Sequence, residues 1–248
     1  MPHCAPMRLA DILFSQGFGT RRECAALVAT GAVRVAGSVE RDPLADFATD
    51  GLHFEVHGAP WQFHSTLLLM LHKPAGHECS RAPGHHPSVL SLLPAPLRNR
   101  GVQPVGRLDE DTTGLLLLTD EGPLLHRLTH PRHKTPKTYE VRTRHPVTEA
   151  QVQALLAGVA LHGDSEPAVA LACTRRGEHA LTLVIGEGRY HQVKRMLAAV
   201  GNRVEGLHRS AFGALQLPAE LAPGAWRVLA PAERAALLGT RPVPSSAP

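Results

Sequence analysis

Several things are scarce in this sequence, and each scarcity removes a class of function. There is no C-x-x-C pair; the four cysteines, Cys4, Cys24, Cys79 and Cys173, are scattered along the chain. Zinc sites and thiol–disulfide motifs need closely spaced cysteines, so neither has support, and the thiols read as free in a reducing compartment. No apolar run approaches the length needed to cross a bilayer, and the N-terminus lacks the apolar core of a secretory signal. A cytoplasmic protein without membrane contact is expected. Aromatic residues are only 4% of the 248, and Tyr139 and Tyr190 are the only tyrosines. Charge of either sign is modest: the net value is +4, with 16 histidines able to add to it at mildly acid pH. Such a bias permits nucleic acid as a partner without demanding it. Hydrophobic residues, at 43%, suffice for a real core in one large domain or two smaller ones.

Against this background one stretch organises the chain. Residues 105–114 read V-G-R-L-D-E-D-T-T-G and run into L-L-L-L-T-D. Leu115 to Leu118 is a short continuous apolar run between Gly114 and the turn residues Asp120, Glu121 and Gly122, which suits a strand covered on both faces. Asp109 and Asp111 then lie in the loop that enters a rigid strand, where a carboxylate can be aimed. A calcium loop would need a bidentate Glu at its end and flanking helices, and a phospho-aspartate motif would follow its strand, not precede it. Taken alone, the stretch could equally be a polar turn.

Towards the N-terminus, Leu9, Ile12 and Leu13 share one helical face that Gly17 ends. Thr20 caps a second helix, with Glu23 at the capping-box spacing, and Gly31 stops it. Residues 32–40 read as a hairpin around Ala36-Gly37. Arg8, Arg21, Arg22, Arg34 and Arg41 recur through this segment. Arg21 and Arg22 fall at a helix N-terminus, a combination that suits phosphate. Gly58 to Ser65 reads as a linker.

Two resemblances follow from these strings. The run from Gly106 to Gly122, with E-G-R-Y-H-Q-V-K-R-M at 187–196, closely resembles the signatures of the RsuA-type pseudouridine synthase family, the branch that acts on small-subunit ribosomal RNA. The segments R-L-A-D-I-L, G-T-R-R-E-C-A-A-L-V and G-A-V-R-V-A-G-S-V resemble the S4 RNA-binding domain. The strand 66–72 with the K-P-x-G turn at Lys73, the K-x-Y-x-V strand at Lys137, G-V-A-L-H at 158–162 and L-H-R at 207–209 extend the first resemblance. His72 stands where that family often has Asn.

The resemblance implies an α+β protein. A small S4-like α/β domain at 7–57 and a linker at 58–65 would precede a catalytic domain at 66–238. That domain would hold a central, mostly antiparallel mixed sheet flanked by helices, and a disordered tail would occupy 239–248. It implies isomerisation of uridine to pseudouridine in 16S rRNA, at uridine 516 in the standard rRNA numbering, by a monomer acting on the RNA or on a small-subunit assembly intermediate. No cofactor or metal is implied. Asp109 would be the catalytic carboxylate, Lys194 would pair with it and hold it ionised, and Tyr139 would cover the base. Arg195 is a second candidate for the pairing. Arg107 would fill the space left by the extruded uridine. Arg189 and Gln192 would face the substrate. Arg21, Arg22, Arg34, Arg132, Lys134 and Lys137 would grip RNA, although a basic run is as often a solvated surface. Asp111 is expected to serve loop structure alone. Residues 81–87 read as a mobile loop, 89–93 as a short helix, and 189–200 as a helix. A large-subunit 23S rRNA enzyme of the same family and a non-catalytic S4-type ribosome-assembly factor are the rival readings.

Overall fold

The computed structural model describes residues 6–130, 132 and 134–239; the expected tail, apart from Gly239, lies outside them. The chain forms two compact units, one running to Leu67 and including Leu93–Val102, the other made of Leu68–Leu92 and the chain from Gln103 onward.

In the first unit, β1 (Met7–Arg8) pairs with β4 (Asp46–Phe47), and α1 (Leu9–Ser15) follows β1 directly. The second helix, α2 (Arg21–Ala29), starts at the expected capping box: Thr20 Oγ1 accepts from the Glu23 amide at 3.3 Å, and Glu23 Oε2 accepts from the Thr20 amide at 2.7 Å. Strands β2 (Val33–Val35), β3 (Ser38–Glu40), β5 (His53–Val56) and β6 (Ala59–Gln62) form an antiparallel sheet in the order β3-β2-β5-β6. Leu9, Ile12, Leu13, Cys24 and Val28 from the helices meet Val33, Val35, Phe54 and Val56 from the sheet. Burying each of the larger of these side chains stabilises the unit by roughly 2 kcal/mol.

Two features of this unit depart from the sequence reading. The 58–65 stretch, expected as a linker, contains β6. Its Pro60 is tolerated because β6 is an edge strand, where a missing N–H costs no inner ladder bond. Helix α3 (Ala95–Asn99), far along the chain, belongs here as well. Asn99 Nδ2 donates to Gly17 O at 2.9 Å, and Arg100 Nη1 donates to Gln16 Oε1 at 2.8 Å. A Cβ at Gly17 would meet Pro96 O at 2.1 Å, so this contact requires glycine there.

The second unit is built on a nine-stranded sheet. Its strands are β7 (Leu68–Lys73), β8 (Gln103–Pro104), β9 (Thr113–Thr119), β10 (Lys137–Thr143), β11 (Ala170–Gly177), β12 (Ala180–Ile185), β13 (Val204–Phe212), β14 (Leu215–Gln216) and β15 (Trp226–Val228). The order is β11-β12-β10-β13-β9-β7-β15, with β14 on β13 and β8 on β9. Among the described residues only β9 and β13 pair in parallel, so the sheet is mixed and mostly antiparallel, as expected. Leu115, Leu116, Leu117 and Leu118 are all 0% exposed, the outcome the apolar run predicts. Leu115 and Leu117 join Leu68, Met70 and Phe212 under Leu124 and Leu128 of α4 (Gly122–Thr129). Helix α5 (Glu149–Ala157), capped by Thr148 and Gln151 as its spacing predicts, lies along β11; α6 (Gln192–Ala199) lies on β13. Helix α7 (Pro231–Leu238) closes the unit.

Residues 89–92 form a 3-10 turn where a short helix was expected. The 81–87 loop, expected to be mobile, is tied down: the Glu78 carboxylate accepts from the amides of Gly84, His85 and His86 at 3.0, 2.9 and 3.0 Å. Those three donors hold its pKa down at about 2. His72, at the position where asparagine is usual in the family it resembles, ties its Nδ1 to Leu221 O at 2.7 Å.

Candidate active site

The loop between β8 and β9 carries the two aspartates. A turn closes it, with the Thr112 amide donating to Asp109 O at 3.1 Å. The loop is fixed from below by Lys73, which is 0% exposed. Its ammonium donates to Pro74 O at 3.0 Å, Glu110 O at 2.9 Å and Thr112 O at 2.8 Å. Burial pushes this lysine's pKa down, opposed by the nearby Cys79, Glu110, Asp111 and Asp109. The K-P-x-G turn thus acts on the loop through its lysine, and Gly76 adds its amide to Glu110 O at 3.1 Å. Gly114 ends the loop at φ +110, where a Cβ would lie 2.3 Å from Arg209 O. Only glycine lets β9 come this close to its parallel neighbour β13.

On the first turn of α6, Lys194 meets both carboxylates. Its Nζ lies 3.1 Å from Asp109 Oδ2, and it donates to Asp111 Oδ1 and Oδ2 at 2.7 and 2.9 Å. The nearer partner is therefore Asp111, which the sequence reading assigns to loop structure alone. Burial works to lower the lysine's pKa, but the bonds from Asp111 and then Asp109 outweigh it, and the net shift is upward. For Asp111, burial works upward and the Lys194 bond downward, with a net fall. The ammonium therefore stays charged between two carboxylates.

A third group was missed by the sequence reading. His191 Nε2 lies 3.4 Å from Asp109 Oδ1. The residue adopts a left-handed backbone, φ +47 and ψ +33, and caps α6. The helix expected from 189 accordingly starts at Gln192, three residues later. The only sequence signal would have been the histidine itself, a residue type that enters the left-handed region more often than most.

The other expected site residues divide. Arg107 and Tyr139 line the same narrow cleft as Asp109 and Lys194, with Ile185 and Leu207 as its apolar wall. Tyr139 is 7% exposed, on β10 between Leu183 of β12 and Arg209 of β13. Gln192 is buried beside the cleft and accepts the Arg189 amide at 3.0 Å, so it shapes the helix start. The Arg189 guanidinium also lines the cleft but is engaged by Asp164 at 3.1 Å and Glu187 at 2.6 Å. Arg195 is drawn to Asp164 at 3.1 Å, so Lys194, not Arg195, faces Asp109. Lys137 is half-buried and donates to Thr135 O at 2.9 Å; burial, aided by Arg209, lowers its pKa to about 8. Arg132 and Lys134 are exposed. In the first unit, Arg22 and Arg34 are exposed, Arg34 donates to Gly37 O at 3.0 Å, and Arg21 is held by Asp11. A larger open groove of about 530 Å³ runs beside Glu140, Arg142, Glu205 and His208, and shares only Leu207 with the cleft. Among the described residues no group of three or more His, Cys, Asp or Glu side chains is placed to hold a metal ion, and no helix is long and apolar enough to cross a membrane.

Residues 67–199 match the sequence model of a family described as RNA pseudouridylate synthase, and residues 7–43 match that of the S4 domain. The chain is 39% identical over 228 residues to ribosomal small subunit pseudouridine synthase A of Pasteurella multocida, covering 92% of this chain and 97% of that one. It is 40% identical over 242 residues to the protein of the same name from Escherichia coli K12, covering 94% and 100%. A crystal structure of a pseudouridylate synthase matches with a TM-score of 0.67 at 34% identity, over 93% of this chain and 99% of that one. With the family's match covering Asp109, Tyr139 and Lys194 and relatives aligned along nearly the whole chain, the protein belongs to the RNA pseudouridylate synthases and is itself a pseudouridine synthase.

Proposed function

We propose that this enzyme converts one uridine of small-subunit ribosomal RNA to pseudouridine, uridine 516 of 16S rRNA in the standard numbering, with Asp109 as the catalytic carboxylate. The observation that carries the reading is the Asp109–Lys194 pair, 3.1 Å apart in a cleft that Tyr139 also lines. The substrate choice is supported by the near full-length similarity to proteins named as small-subunit synthases.

The reaction breaks the N1–C1′ bond, turns the base and joins C5 to C1′; the proton on C5 is lost and N1 gains one. A charged carboxylate beside the ribose serves either as the nucleophile at C1′ or as the base that removes a ribose proton. Lys194 holds that carboxylate in place against Asp111, and Tyr139 covers the base and assists loss of the C5 proton. Arg107 occupies the stack vacated by the flipped uridine, whose extrusion costs a few kcal/mol and least where pairing is already broken. The arginines of the S4 unit supply salt-dependent phosphate contacts. We read the enzyme as a monomer that meets ribosomal RNA in the cytoplasm.

The test is to incubate the protein with unmodified small-subunit and large-subunit rRNA and map pseudouridine in both. Product at one site of the small-subunit RNA is expected. Product confined to the large-subunit RNA would overturn the substrate choice.

A further inference from the structure

Tyr190 is 77% exposed, the most exposed large hydrophobic side chain among the described residues. A ring that far out of the core adds little to folding. It is nonetheless held in place. It stacks on the His191 imidazole with centroids 3.8 Å apart and planes 16° from parallel. Its carbonyl accepts from Arg195 Nη1 at 3.2 Å. The left-handed backbone at His191 is one that a non-glycine residue adopts when its surroundings impose it. That backbone leaves Nε2 3.4 Å from Asp109 while a ring face lies on Tyr190. Two stacked rings thus run from the site's carboxylate out to solvent.

We propose that Tyr190 and His191 form a base-stacking subsite for an unpaired nucleobase next to the target uridine. Extruding a uridine strips stacking partners from its neighbours, and an aromatic platform beside the site recovers part of that loss. The chemistry around the rings favours a base over a phosphate. The guanidinium groups of Arg189 and Arg195, on either side of these two residues in sequence, are already matched by Glu187 and Asp164. What remains exposed is a flat π-surface, which any nucleobase can cover.

This inference rests on the RNA substrate proposed above. The test uses that substrate with 2-aminopurine placed beside the target uridine, bound to Asp109→Asn protein so that no turnover occurs. Binding is expected to quench the probe when Tyr190 is present, to quench it equally with Tyr190→Phe added, and not with Tyr190→Ala added. In the otherwise native enzyme, Tyr190→Ala should raise KM about 10-fold with kcat changed less than about 3-fold, while Tyr190→Phe stays near wild type. Equal quenching with alanine, or native kinetics for Tyr190→Ala, would overturn the subsite. So would a loss confined to kcat, because that would mark the ring as support for His191 alone. Failure of the underlying reading looks different: the native enzyme would then modify no uridine in this RNA. Since Tyr190 buries so little, an unchanged Tm is expected for Tyr190→Ala and separates these outcomes from misfolding.

Discussion

In the N-terminal unit Arg8, Arg22 and Arg34 stand in solvent, and Arg34 does no more than hold the Gly37 carbonyl at 3.0 Å. In the larger unit Lys73 and Arg209 are 0% and 2% exposed. Arg189, Lys194 and Arg195 there each meet a carboxylate. Those three N-terminal cations stay near water, where they cost little and remain available to phosphate; these five of the larger unit fix geometry, although Arg132 and Lys134 there are exposed as well. The difference teaches that a lysine or arginine in an RNA-modifying enzyme is not by default an RNA contact. Burying a charge is unfavourable unless it is well bonded. Lys73, donating to three carbonyls, and Lys194, set between two carboxylates, show what that bonding is used for.

The contrast can be broken most severely at Lys73. Replacing it with methionine removes this donor from the carbonyls of Pro74 and Thr112 and leaves Glu110 O with the Gly76 amide alone. A loss of about 3 kcal/mol in stability is expected, together with a fall in kcat of about 100-fold as the aspartate loop drifts. Denaturant unfolding and single-turnover assays measure the two; native stability would show that the lysine supports nothing. Next comes Lys194→Gln, which keeps a donor but removes the charge. It should lower kcat about 50-fold while RNA affinity stays near native, and an equal loss in KM would instead mark Lys194 as a phosphate contact.

A smaller effect is expected from the solvent-facing cations. The double variant Arg22→Ala/Arg34→Ala should weaken RNA binding roughly 10-fold at moderate salt, flatten the salt dependence by about one to two charges and leave kcat unchanged. Titrating affinity against salt concentration checks this. Smallest and most diagnostic is Lys137, whose pKa falls to about 8 in the fold against an ordinary 10.5. Below pH 8 both folded and unfolded chains hold the proton, and the penalty of burying the charge is fully present. Between about 8 and 10.5 the unfolded chain binds more protons, so stability should rise with pH. Lys137→Met should raise Tm at pH 7 and remove that rise; an unchanged pH profile would place the ammonium in open solvent.

Much of this architecture was legible in the residues because it is local. The capping boxes at Thr20 and Thr148 and the apolar runs that became β7 and β9 are all fixed by neighbours in sequence. Less visible were features set by distant contacts. Lys194 reaches Asp111 across 83 positions, and Asn99 reaches Gly17 across 82. No spacing rule reports such pairs. Charge and polarity at Lys137, Arg189 and Gln192 are visible in a sequence, but that Lys137 donates to Thr135 O and that Arg189 meets Asp164 and Glu187 is not. The left-handed turn at His191 was hidden because histidine signals that backbone far more weakly than glycine does.

Catalysis by this cleft depends on the carboxylate at position 109 above all else. The most direct measurement is pseudouridine formation by Asp109→Asn on small-subunit rRNA in single turnover, alongside binding of the same RNA. No detectable product is expected, a fall of at least about 10⁴-fold, with the fold intact and RNA affinity within about 3-fold of native. Product formed at a rate near that of the native enzyme would contradict that dependence.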